Sequence, residues 1–126
     1  MTKQEVKTRD IRYFSKKNQR IMLVHTEKAR KYADTLEGNP EVLTYEVGKE
    51  INNAAFEAFP KIGIRSYILS EKWVSDFHIT FKDGTEAVRE ISSRELLLKE
   101  SEVMKLELSR RYWKYNCISD WKIVLF

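Results

Sequence analysis

The chain has 126 residues, a formal net charge of +4, 42% apolar and 33% charged residues, the balance of a globular protein with one core and no room for a second. No run approaches the roughly 18 apolar residues of a membrane span, and the polar N-terminus lacks a signal-peptide core, so no membrane role is expected. Cys117 is the only cysteine, which excludes an intrachain disulfide and a thiolate-rich zinc centre. It fits a reducing, cytoplasmic setting, with Cys117 itself a small, partly buried residue.

Charge is concentrated at the start. Before Val24 there are seven bases (Lys3, Lys7, Arg9, Arg12, Lys16, Lys17, Arg20) against two acids (Glu5, Asp10), an excess larger than that of the whole chain. Residues 1–20 lack sustained periodicity and read as a basic arm, partly ordered around Ile11, Tyr13 and Phe14, ahead of a near-neutral domain over 21–126. A basic arm on a neutral body suits a polyanion, most often nucleic acid, and equally a solvated tail.

Ile21 to Val24 is a short apolar run, a strand or a docking segment. Thr26 is an N-cap for a helix to Leu36, with Ala29, Tyr32, Ala33 and Leu36 on one stripe and Gly38-Asn39-Pro40 ending it. Val42 to Val47 alternates, with Leu43, Tyr45 and Val47 on one face. Between Lys49 and Lys72 the signals conflict: Asn52-Asn53 looks like a turn, Ala54 to Phe59 is one helical turn or extended, and Ile62 to Leu69 suits a strand.

The stretch Trp73 to Ser92 is the most informative. Trp73, Ser75, Phe77, Ile79 and Phe81 alternate with Val74, Asp76, His78 and Thr80, which predicts a strand with one apolar and one wet face. Lys82-Asp83-Gly84 has the chemistry of a three-residue hairpin loop closed by a glycine at positive φ. Pairing Phe81 with Thr85 then sets Asp76 opposite Glu90 and His78 opposite Val88. Two acids across a strand pair repel unless a cation compensates, and a divalent metal would do so.

A helix follows from about Ser101 to Tyr115, with Met104, Leu108, Tyr112 and Tyr115 on one stripe and Arg110, Arg111 and Lys114 near its C-terminal end, where the helix dipole favours cations. Asp120 to Phe126 closes the chain as a strand buried on both faces. A helix joining it to the hairpin predicts a crossover to a parallel neighbour. Trp73, Trp113 and Trp121 are expected in the core.

In this order the parts resemble the N-terminal nuclease domain of TnsA, the endonuclease subunit of heteromeric bacterial transposases, within the PD-(D/E)xK superfamily. The resemblance runs from about Ser15 to Phe126. It is carried by Ser15-Lys16-Lys17, Leu36 to Val42, Ser75-Asp76-Phe77, Lys82-Asp83-Gly84 and Arg89-Glu90-Ile91. It implies an α/β, restriction-endonuclease-like core, a mixed central sheet flanked by helices, and Mg²⁺- or Mn²⁺-dependent cleavage of DNA at the end of a transposon or other mobile element. Asp76 and Glu90 match the strand acids that hold the metal. A third ligand from the first helix would fall near His25, with Glu27 the nearest carboxylate. The lysine that orients water or steadies the phosphorane falls on Ser92, a departure for which Arg94 or Lys99 could compensate. Lys16, Lys17, Arg20, Arg110, Arg111 and Lys114 are the expected phosphate contacts, and a transposase or other mobile-element or phage protein the expected partner. The alternative is a non-cleaving member of the same fold, needing no metal, that binds DNA or regulates such a partner.

Overall fold

The computed structural model describes residues 10–51, 58–69 and 73–126. Most of the basic arm, the Asn52-Asn53 turn and most of the segment 54–59 fall outside them. The order is β1 (Ile11–Ser15), β2 (Arg20–Val24), α1 (Glu27–Glu37), β3 (Val42–Glu50), α2 (Ser66–Leu69), β4 (Val74–Phe81), β5 (Glu86–Ser92), a 3₁₀ turn at Leu96–Leu98, α3 (Glu100–Tyr115) and β6 (Trp121–Leu125). It is a mixed α/β fold. The main sheet runs β3-β4-β5-β6, antiparallel except for the parallel β5–β6 pair that α3 bridges, and β1–β2 form a separate hairpin.

α1 starts where Thr26 Oγ1 accepts the Ala29 N–H at 3.0 Å, a side chain satisfying a backbone donor that the first turn cannot. Its Ala33 and Leu36 are buried with Tyr13, Met22, Val42, Tyr45, Phe77 and Ile79, so α1 and the hairpin cover one face of the sheet. The Tyr32 ring meets Phe77 edge-on at 5.1 Å. α3 covers the other face, through Leu108, Tyr112 and Trp113 packed with Val88, Trp73, Ile51 and Ile68. Fully burying side chains such as Phe77 or Leu108 contributes about 1.5–3 kcal/mol each, so two shallow cores suffice for a chain of this size.

The hairpin register is the predicted one. Phe81 N–H donates to Thr85 O at 2.8 Å, Gly84 N–H to Phe81 O at 3.0 Å, and Gly84 takes φ 89°, a conformation that a Cβ would strain. The predicted single face of β4 is corrected. Trp73 packs in the core under α3 and Ser75 bonds to α3 residues, whereas Phe77 and Ile79 lie under α1. The strand changes faces between Ser75 and Phe77. β3 does the same at Gly48, φ 65°: Val47 packs under α1 and Ile51 under α3, although strict alternation would return positions 47 and 51 to one side.

Other expectations change with packing. Residues 11–20, read as arm, form β1 and the turn into β2, because Tyr13 and Ser15 alternate inward onto α1 and β3. Leu43 is half exposed, since an irregularity between Val42 and Thr44 turns Val42 inward in its place. Ile62 to Leu69 is a turn and the short helix α2 rather than a strand, interrupted at Gly63, φ 84°. Tyr115 lies off the buried stripe of α3, β6 is an edge strand with Ile123 and Leu125 exposed, and Cys117 is exposed. Trp73 and Trp113 are buried and Trp121 half-buried. No helix among the described residues is long and apolar enough to cross a membrane.

Candidate active site

The ladder between β4 and β5 is regular from Thr80–Glu86 to Phe77–Arg89. One step further, where Asp76 faces Glu90, carboxylates replace it. Asp76 N–H donates to Glu90 Oε1 at 2.9 Å, and Ile91 N–H donates to Asp76 Oδ2 at 2.8 Å. Glu90 is 5% exposed. Its Oε2 accepts the hydroxyls of Ser75, at 2.7 Å, and of Ser109 on α3. Those serines are held in turn by indole N–H groups, Trp113 to Ser75 at 2.8 Å and Trp121 to Ser109 at 3.0 Å.

The electrostatics follow from this burial. Desolvation first, and then the Asp76 charge, push the Glu90 carboxyl up to about 7, against the bonds from Ser109, the Asp76 N–H and Ser75. Asp76 is also raised, by burial; the Ile91 N–H opposes that shift and the charge of Glu102 adds to it. Carboxyls raised by burial and by a neighbouring negative charge are a recurrent feature of sites that act on protons or cations.

The pair keeps oxygen lone pairs open. A carboxylate offers about four acceptor sites, of which Glu90 uses three and Asp76 one on the bonds above. Mg²⁺ is commonly held by one or two carboxylates with waters and phosphate completing the shell. No group of three or more His, Cys, Asp or Glu is arranged to hold a metal among the described residues, so the fit is that of a two-acid site.

Ser92 lies on the same strand, buried at 2% exposure, and its hydroxyl donates to Glu102 Oε2 on α3 at 2.8 Å. The position expected to carry a lysine thus carries a neutral hydroxyl tied to an acid. Arg94 and Lys99 are exposed, on the turn after β5. His25 pairs with Asp10, 2.9 Å from Nδ1, and both are exposed. Glu27 is exposed in the first turn of α1. His78 turns to Glu86, 2.6 Å from Nε2, and stacks 5.3 Å from Trp113.

The expected phosphate contacts fall in two places. Lys17 Nζ donates to Val42 O at 2.7 Å, and Val42 pairs with Phe81, five residues of β4 away from Asp76. That is about 16 Å at strand rise. Lys16 and Arg20 are exposed on the same hairpin. Arg110 and Arg111 both bond Glu107, with N–O distances of 2.8 Å, while Lys114 is exposed one turn on.

Sequence reasoning set Asp76 opposite Glu90, as the register has them, but did not see the side chains of α3 that face them. Glu102, Ser109 and Trp113 share one face of α3, at spacings of seven and four residues. The available signal was Ser109, a small polar residue beside Leu108 on the buried stripe. Comparison with models of known protein families and with curated proteins gives no match.

Proposed function

We propose that this chain is a TnsA-like, restriction-endonuclease-like domain that hydrolyses phosphodiester bonds in DNA at the end of a mobile element. The observation that carries this reading is the Asp76–Glu90 pair, brought together where the β4–β5 ladder opens. Further support comes from the order α1-β3-β4-β5-α3-β6 with its parallel final strand, which, apart from the short α2 between β3 and β4, follows the order of parts in the resemblance. Asp76 and Glu90 would hold Mg²⁺. The ion would supply charge neutralisation at the phosphate and a water of lowered pKa. The chain's own part is to fix both carboxylates through Ile91 N–H, Ser75 and Ser109, and to keep bulk water from Glu90. A plasmid-nicking assay in Mg²⁺ or Mn²⁺ tests it: the parent nicks and Asp76→Ala does not. Equal nicking by both would end it.

A second reading is favoured by one observation, the Ser92–Glu102 bond. With no cation at that position, the same domain binds DNA or a transposase and leaves the strand intact. Salt-sensitive binding without turnover in either metal would select it.

A further inference from the structure

Beside α3, the 58–62 segment and the C-terminal half of the helix enclose a groove of about 620 Å³, lined by Phe59, Pro60, Arg110, Arg111, Lys114 and Tyr115 among others. Its floor is aromatic. Phe59 is buried, Tyr115 is 53% exposed, and their rings lie 6.0 Å apart at 37°, so about half of the Tyr115 side chain is open to solvent. Its rim is cationic, three bases against the single acid Glu107.

The acid shapes this rim. Glu107 accepts N–H bonds from Arg110 Nε, Arg110 Nη2 and Arg111 Nε, each at 2.8 Å, and Arg111 Nη1 donates on to Pro60 O at 3.1 Å. That fixes the guanidinium planes along the wall and leaves the Lys114 ammonium without an ion pair among the described residues. Lys114 follows Ser109, the partner of Glu90, by five residues, about 7.5 Å along the helix axis and about 140° around it, so the groove opens on the side of α3 turned away from Glu90.

We infer that this groove binds single-stranded DNA, with a base stacked on Tyr115 and backbone phosphates on Lys114 and Arg110. A duplex keeps its base faces inside the stack, whereas an unpaired base offers one to an aromatic ring, and a cationic rim tracks the backbone. A cleft of this volume is of small-ligand size, which suits one or two nucleotides rather than a helix. The inference rests on the DNA-processing reading and names the form of DNA that the domain would engage.

The test is fluorescence anisotropy in EDTA with a labelled oligothymidine of about 15 nucleotides and a duplex of equal length. The parent is expected to bind the single strand about tenfold more tightly than the duplex, with affinity falling as salt rises. Tyr115→Ala and Lys114→Glu each weaken it about tenfold, and Tyr115→Phe, which keeps the ring, restores it. Equal affinity for both forms, unchanged binding in Tyr115→Ala, or displacement by polyglutamate as effective as by unlabelled DNA would overturn the inference, the last in favour of an acidic protein partner. Binding in EDTA needs neither Asp76 nor Glu90 as a metal ligand, so it can fail while nicking succeeds, and the reverse.

Discussion

Asp76 and Glu90 are each bonded to the other's strand: Glu90 Oε1 takes the Asp76 N–H and Asp76 Oδ2 takes the N–H of Ile91, the residue after Glu90. The exchange keeps both backbone donors satisfied where the ladder ends, yet it holds two carboxyl groups together in a buried place, where burial first and the Asp76 charge second make Glu90 hard to ionise. That tension is the source of the pH behaviour expected of the fold.

Glu90 keeps its proton to about pH 7 when folded, against an ordinary value of 4.5. Between those values the folded state binds more protons than the unfolded state, so stability falls as pH rises through the window. The gap corresponds to a loss on the order of 3 kcal/mol. Urea denaturation at pH 5 and pH 8 should show the parent losing more stability than Glu90→Gln. Parallel pH profiles for the two proteins would contradict this.

Ser92 faces Glu102 from the position where the resemblance wants a lysine. Ser92→Lys should raise Mg²⁺-dependent nicking at least about tenfold, the scale on which one charge-stabilising donor acts. The buried ammonium gains Glu102 as a partner but still costs stability, so thermal denaturation should show a lower Tm. Unchanged nicking would mean that Ser92 lies outside the reacting geometry.

The two face changes fall side by side, at Gly48, φ 65°, and at Asp76, which lies opposite it by continuation of the β3–β4 register. A Cβ at Gly48 meets nothing within 4 Å, so Gly48→Ala should cost only the left-handed backbone strain, about 1–2 kcal/mol. Gly84→Ala carries the same strain at the hairpin turn, again with no steric contact. Both variants should lose similar stability in chemical denaturation, but only Gly48→Ala should weaken metal binding, because relief of its backbone strain shifts β3 opposite Asp76.

How much of this was legible in the chain depends on the range of the determining forces. The helix start at Thr26, the Lys82-Asp83-Gly84 turn and the register that sets Asp76 opposite Glu90 are local, and each was readable from a few residues. The change of faces at Ser75 and Asp76 was not, because alternation assumes a regular strand and the switch shows only where Ser75 meets Ser109 and Trp113 of the remote helix α3. Residues 11–20 looked like an arm because their inward partners are remote: Tyr13 OH meets Tyr45 OH at 2.8 Å, and Ser15 Oγ donates to Glu37 Oε2 at 2.5 Å. In the same way Glu102 and Ser109 become site residues only once α3 is laid across the sheet.

That remote network makes its own prediction. Tyr45 is 2% exposed and its hydroxyl donates to Glu37 Oε2 at 2.6 Å beside Tyr13. Tyr45→Phe strips a partner from both, at a cost of about 1–3 kcal/mol. Equilibrium denaturation should show that loss, while metal binding at the far side of the sheet should be unchanged.

Titration calorimetry of Mg²⁺ into the parent and Asp76→Ala, at pH 8 where Glu90 is largely ionised, bears most directly on the central claim. Saturable binding to the parent that Asp76→Ala abolishes is the predicted result. Equal heats from the two proteins, or none from the parent, would mean that the paired acids do not hold a cation.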